Sequence, residues 1–384
     1  MPNALTHNYI SGIIYRALPA DIRRAIDRNR KEYDLGALGP DIIMGLLLNK
    51  DPVKKSAGDR LHVECVYEGL DNALQYLRKH PEDKALRAYW LGFLTHYAAD
   101  TCVHPYVYEY IDNRMRQKYD PVLYGCLHTI VETEMDVYVG HVCLKGRHAD
   151  TFYRFSWSKK RRDVVDRYFL KVNRDVFRLT LDRHDVNQSF LLCALLFFVC
   201  HRHRNGKIRF ALCQWLDNYF KVEHMLMACL RPRYPDSRYD YLNMERKPYK
   251  SIYRGVDAPI VSYSFPEMIE NAKEKGVALI TEAWRLLFEP GELPQEMFLL
   301  NYNGEPNAEF VKEIEAMPDF TGEEEVKPPF DIEEYLISER LTRKEDPVAE
   351  PEFKDPQIIL QLPKSDRIEN DLDLINLAEE VQDV

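Results

Sequence analysis

The stretch LGFLTHYAADTCVHP, residues 91–105, constrains what this 384-residue chain can fold into more than any other part of it. His96, Asp100 and His104 recur every fourth residue inside an otherwise apolar run. On a helix, residues four apart stack on one face, turn above turn. Leu91, Phe93, Leu94, Tyr97, Ala98, Ala99, Cys102 and Val103 fill the remaining faces, so the helix is expected inside a bundle rather than on its surface. Two imidazoles and a carboxylate buried there are costly unless something satisfies them.

The surrounding chain reads as helices. LPADIRRAIDRNRKEY opens with Pro19 and holds its Ile residues at helical spacing, and GALGPDIIMG reads as a Gly/Pro loop. Leu61 to Leu77 places Val63, Val66, Tyr67, Leu70 and Leu74 on one side of a helix. The helix of the opening stretch is expected from Leu86 to about Tyr110, bent or interrupted at Pro105. Asp120-Pro121 has the form of a cap and first residue of another helix, running towards Leu144 with Leu127, Val131, Met135 and Val139 as its apolar ladder. Further helical patterns lie at about 162–181, 188–203, 208–230 and 266–288, and strand-like alternation is nearly absent. The expected fold is all-α, a multi-helix bundle around a buried polynuclear metal site, followed by an acidic, largely irregular C-terminal tail.

Charge marks the boundary of that tail. From Gly291 onward 26 Asp/Glu face 8 Lys/Arg, whereas residues 1–290 carry 44 Lys/Arg against 36 Asp/Glu. The expected organisation is a mildly basic helical domain over 1–290 and an acidic tail over 291–384, partly disordered or docked on the body. No apolar run reaches the roughly 18 residues needed to span a bilayer, and FLLCALLFFVC (190–200) reads as a core helix. The N-terminus lacks the pattern of a signal peptide, and the eight scattered cysteines include no CxxC pair. A cytoplasmic protein with reduced thiols is expected.

Other ionisable residues fall beside apolar faces near the stripe. His128 and Glu132 form a second i, i+4 pair, His62 sits near the start of the 61–77 helix, Asp41 follows a proline, and His7 precedes the first glycine. A helix rises about 1.5 Å per residue, so His96 and His104 stand roughly 12 Å apart along the axis. One ion cannot serve both, but Asp100 halfway between can reach both neighbourhoods with its two oxygens. Carboxylates bridge ions in this way in hydrolytic sites with metals about 3.5–4 Å apart. Imidazole and carboxylate without thiolate favour Zn²⁺, two or three ions, over Mn²⁺ or Fe²⁺.

HYAAD, followed by His104 and then HTIVE, and preceded by GPD and an early His, resembles the zinc-dependent phospholipase C family. That family shares its all-α trinuclear-zinc fold with the single-strand-specific zinc nucleases. The resemblance covers residues 1–145 by motif and extends over the helical body to about 290. It implies Asp41, His62, His96 and Asp100 as ligands of one zinc, His104, His128 and Glu132 as ligands of a second, and His7 with bridging Asp100 at a third. The family completes its third zinc with the amine and carbonyl of an N-terminal Trp. This chain begins Met1-Pro2 instead, and Pro2 exposed by removal of Met1 is expected in that role. The family's C-terminal lipid-binding β-sandwich has no counterpart in this pattern.

The activity this implies is phosphoester hydrolysis of the phospholipase C type, with zinc-bound hydroxide attacking phosphorus and Asp41 as general base as well as ligand. A phospholipid is the favoured substrate, with peripheral membrane contact allowed. The Tyr-rich YPDSRYDYLNMERKPYKSIY reads as packing or a lid, with the mouth of a lipid pocket as the alternative. A nuclease or phosphatase acting on nucleotides or single-stranded nucleic acid is the alternative in the same chemistry. FYRFSWSKKRRDVVDRYF and HRHRNGKIR have the basic and aromatic composition it needs, although such runs are more often solvated faces. A metal-stabilised interaction protein without catalysis is the alternative of another kind. His201, His203 and the doublet His184-Asp185 are read as surface residues or coincidence.

Overall fold

The computed structural model describes residues 4–112, 121–144, 158–178, 180–201, 206–221, 224–232 and 239–308, together with 315 and 336. Met1–Lys344 forms one compact unit, while Glu345–Val384 clusters separately and lies outside the described residues. In the first unit, α1 (Ala4–Ala17), α2 (Ala20–Asp27) and α3 (Arg30–Gly36) lead into a 3-10 segment, Gly39–Leu48. Then follow α4 (Pro52–Lys55), α5 (Ala57–Val63), α6 (Val66–Lys79), α7 (Lys84–Tyr110) and α8 (Pro121–Tyr138), the last continued by a π turn to Cys143. α9 (Lys159–Asp166), α10 (Arg174–Phe177), α11 (Arg183–His201), α12 (Gly206–Phe220), α13 (Met225–Ala228) and α14 (Phe265–Leu286) complete the helices. Two strands of two residues, Tyr249–Lys250 and Ile260–Val261, pair antiparallel in the irregular excursion before α14. The chain is all-α, as its periodicity requires.

α7 is the axis of the bundle. Asp83 caps it by accepting from the Leu86 N–H at 3.1 Å, and it runs through Pro105 as one helix. Tyr89, Trp90, Tyr97 and Tyr106 on it are fully buried, each contributing roughly 1.5–3 kcal/mol of hydrophobic stabilisation. α3 crosses α7 with backbones almost touching, because the crossing is made at Gly36 and Gly92. A methyl on either would lie 2.0 Å from a carbonyl oxygen of the other helix. α14 lies along another side of α7 and begins with a capping box, in which Glu267 accepts from the Ser264 N–H at 2.8 Å. Its Met268, Ile269, Ala272, Leu279, Ile280 and Ala283 form the buried stripe.

Three sequence expectations are revised. The helix read through 19–33 is two helices, because the chain turns at Arg28-Asn29. The helix read over 61–77 is broken at Cys65, whose φ of 52° is left-handed, so His62 ends α5 rather than opening a long helix. The loop containing Asp41 is a 3-10 segment. Within 291–308, Leu293, Phe298 and Tyr302 are buried. Among the described residues no cysteine forms a disulfide and no helix is long and apolar enough to cross a membrane. Asp120, His203 and the start of the basic run at 152–157 lie outside the described residues, as does the expected role of Pro2.

Candidate metal centre

The fold gathers all eight of the singled-out side chains into one buried region. α1 brings His7, the 3-10 segment Asp41, α5 His62, α7 the stripe of His96, Asp100 and His104, and α8 the pair His128 and Glu132. Three groups have donor atoms all within 4.8 Å of one another. They are Asp41 with His62 and His96, His7 with His96 and Asp100, and His104 with His128 and Glu132. His96 thus stands in two groups. Asp100 faces both ways, its Oδ2 2.9 Å from His96 Nε2 and its Oδ1 3.2 Å from His7 Nε2 and 3.8 Å from His104 Nε2.

Three of the five imidazoles are aimed by the backbone. His62 Nδ1 donates to the Gly58 carbonyl at 2.8 Å, His96 Nδ1 to Ala37 at 3.0 Å and His104 Nδ1 to Tyr302 at 2.5 Å. A carbonyl can only accept, so Nδ1 carries the proton in all three rings, and in the neutral ring Nε2 presents a lone pair. In each of these rings that nitrogen lies close to a carboxylate oxygen. His62 Nε2 is 3.1 Å from Asp41 Oδ1, and Glu132 Oε1 is 3.1 Å from His104 Nε2 and 2.9 Å from His128 Nε2. Lone pair facing lone pair is repulsive unless a proton or a cation lies between them. Carbonyl–histidine–metal chains of this kind are the usual outer support of a metal site.

Unused hydrogen-bonding capacity gives the test of fit. His96 Nε2 and Asp100 Oδ2, although 2.9 Å apart, are not aligned for a hydrogen bond, and both are left unsatisfied in a fully buried setting. His7 Nδ1 is likewise buried without a partner, its ring stacked on His96 with centroids 4.0 Å apart. Orphaned buried polar atoms are rare in native proteins and point to a missing ion or ligand. The donor set, imidazole and carboxylate, fits zinc.

The same packing explains the GPD sequence. Gly39 has a φ of 51°, and a methyl there would lie 2.3 Å from the His96 ring. Glycine permits the left-handed turn and lets the imidazole lie against the backbone, while Asp41 two residues on enters the site. Gly39→Ala is therefore expected to push the His96 ring aside. The variant should keep its helical circular dichroism but bind at least one zinc fewer per chain by plasma mass spectrometry.

Charges in the site are strongly coupled. Burial pushes the Asp100 carboxyl up, but His104, His96 and His7 outweigh it and hold the group well below the usual carboxylate range. His104 loses by burial and gains more from Asp100 and Glu132, so its pKa rises to about 9. In metal-free protein this raised value stabilises the fold fully below the unfolded pKa near 6.5 and is lost as pH rises through about 9. A metal must displace that proton. Zinc uptake at pH 7 is expected to release protons, and apparent zinc affinity to rise steadily towards pH 9. Calorimetric titrations in buffers of different ionisation enthalpy would show it, and uptake with no proton release would contradict it.

Sequence reasoning did not find Tyr302. Its carbonyl orients His104, its N–H donates to the His62 carbonyl at 3.0 Å, and its ring lies 5.7 Å from His62 and 5.5 Å from His96. Asn301 and Glu305 close a tight turn around it, and Arg254 pairs with Glu305 at 2.8 Å. The one available signal was NYNGEPN, a turn-forming sequence within a region that composition assigned to the tail. Asp185 also has a structural task, pairing with Lys54 at 2.7 Å.

A helical bundle whose core holds three linked groups of imidazoles and carboxylates has the makings of a polynuclear metal centre. The family model for zinc dependent phospholipase C matches residues 6–180. That segment contains all eight clustered residues and is similar to the zinc-dependent phospholipase C family. Zinc is that family's metal, and the three groups have the spacing to bind a few zinc ions. No curated protein and no solved structure matches the chain.

Proposed function

We propose that this protein is a phospholipase C-type phosphodiesterase, with His7, Asp41, His62, His96, Asp100, His104, His128 and Glu132 as ligands of two or three zinc ions. The observation that carries the reading is Asp100, one carboxylate facing His7, His96 and His104 together. Zinc in these groups supplies Lewis acidity towards phosphoryl oxygens and hydroxide at neutral pH. The chain's own part is orientation and proton handling. Carbonyls of Gly58, Ala37 and Tyr302 fix three imidazoles, so little reorganisation is needed when charge builds on the phosphoryl group. Asp41 is assigned as the base that takes the proton from attacking water, its Oδ1 3.1 Å from His62 Nε2 and carried on the 3-10 segment rather than on a long helix.

The side chains of His62 and His128 are 12% and 18% exposed, which gives substrate a way in and favours an enzyme over a closed, purely structural site. The test is turnover by zinc-loaded protein of phosphatidylcholine, phosphatidylethanolamine and single-stranded DNA, alongside Asp41→Asn. Release of a phosphorylated head group, with kcat lower by about 10²–10⁴-fold in the variant, supports the reading. Preferred cleavage of DNA would select the nuclease alternative. Full zinc with no phosphodiester turnover would leave a metal-stabilised scaffold.

A further inference from the structure

α12 carries its apolar stripe on the outside. Phe210, Cys213 and Asp217 face inward and are buried, whereas Ile208, Leu212, Trp215 and Tyr219 are 72%, 41%, 59% and 64% exposed. Their spacing puts these four on one stripe, roughly 16 Å long at about 1.5 Å per residue. Trp215 and Tyr219 stack on each other with ring centroids 5.6 Å apart. α11 also exposes Leu191 and Leu195.

The charges of α12 are sorted as well. Asp217, the one acidic residue between 206 and 221, is turned inward and accepts the N–H groups of Leu226 and Met227 at 2.8 and 3.0 Å. The remaining charged residues are Lys207, Arg209 and Lys221, all basic, with both lysines exposed. The Asp217 contacts tie α12 to α13. α13 in turn packs on α8, where Thr133 donates to the Ala228 carbonyl at 3.2 Å, one residue beyond Glu132. The stripe is therefore braced against the helix that carries part of the metal centre.

An apolar and aromatic stripe on a helix whose exposed charges, among the described residues, are basic complements one kind of surface. Trp and Tyr favour the head-group level of a bilayer, aliphatic side chains its acyl boundary, and lysines its anionic lipids. A second copy would set an all-basic helix against itself. We propose that α12 docks the protein on anionic phospholipid membranes, with Trp215 and Tyr219 at head-group level and Ile208 and Leu212 below them. The inference rests on the phospholipid reading of the metal centre for its purpose, but its test does not depend on turnover.

The test uses full-length, zinc-loaded protein and two variants, Trp215→Ser with Tyr219→Ser and Lys207→Glu with Lys221→Glu. Sedimentation with phosphatidylcholine vesicles, with and without phosphatidylserine, reads docking. Hydrolysis of a water-soluble monomeric phosphodiester reads the site itself. The wild type is expected to bind the anionic vesicles more strongly, and each variant to bind them about tenfold more weakly or worse, with soluble-substrate turnover unchanged. Vesicle binding equal to wild type in both variants would overturn the proposal. So would a wild-type dimer that the aromatic variant turns into monomers, since the stripe would then belong to a second copy. A wild type that binds vesicles but never hydrolyses the soluble diester would fail the catalytic reading and leave the docking face standing.

Discussion

Asp100→Ala is expected to lose more than one zinc per chain, while substitution of a ligand serving a single ion loses one. Asp100 lies 2.9 Å from His96, 3.2 Å from His7 and 3.8 Å from His104, so its removal strips an acceptor from all three imidazoles. These rings are then left with only Asp41 and Glu132 as counter-charge, which weakens binding of any cation that remains. Phosphodiesterase activity should fall by about three decades or more, in line with the several kcal/mol that metal ions contribute to such reactions. The informative control is His128→Ala, at the far edge of the cluster, expected to cost one ion. Equal losses from the two variants, by plasma mass spectrometry on protein of matched helicity, would show that Asp100 bridges nothing.

The second large effect lies one turn further along α8. Asp136 is fully buried and accepts from the Thr6 N–H and hydroxyl, both at 2.8 Å, from the Leu5 N–H at 3.4 Å and from Arg231 at 2.7 Å. It caps α1 from across the bundle, satisfying N–H groups that a helix start cannot satisfy itself. Asp136→Ala would orphan those donors and leave Arg231, whose Nε and Nη1 are already buried without partners, as an uncompensated charge. The expected cost is about 3–5 kcal/mol in denaturant unfolding of the metal-free protein. His7 follows Thr6 directly, so the variant should also lose zinc beyond what its lower stability explains. A loss under 1 kcal/mol with unchanged zinc would mean that α1 is held by its apolar face alone.

The eight clustered residues were legible because helical spacing leaves a visible trace. His96, Asp100 and His104 mark one face by their four-residue interval, His128 and Glu132 another, and both faces sit in apolar surroundings that must meet. The groups that aim the imidazoles left no such trace. Ala37, Gly58 and Tyr302 act through carbonyl oxygens, which every residue possesses, so no side-chain pattern could single them out. The break at Cys65 was hidden for a related reason. Leu61, Val66, Leu70 and Leu74 are buried on either side of it, and periodicity registers burial rather than continuity of the helix. Composition left the contacts of 291–308 unread, because the acidic average of the tail outweighed a short tyrosine and asparagine turn that reaches back to His62 and His104.

That turn sets an order of events during synthesis. His7 emerges first, His96 to Glu132 follow, and the residue that orients His104 comes some two hundred positions after it. A chain still on the ribosome can have all eight imidazoles and carboxylates outside while His104 swings freely and His62 lacks the strap across its carbonyl. Tight zinc capture is thus a late step, coupled to the arrival of Tyr302 rather than to that of the donors. Fragments that end before residue 300 would hold every ligand of the centre and bind its metals poorly.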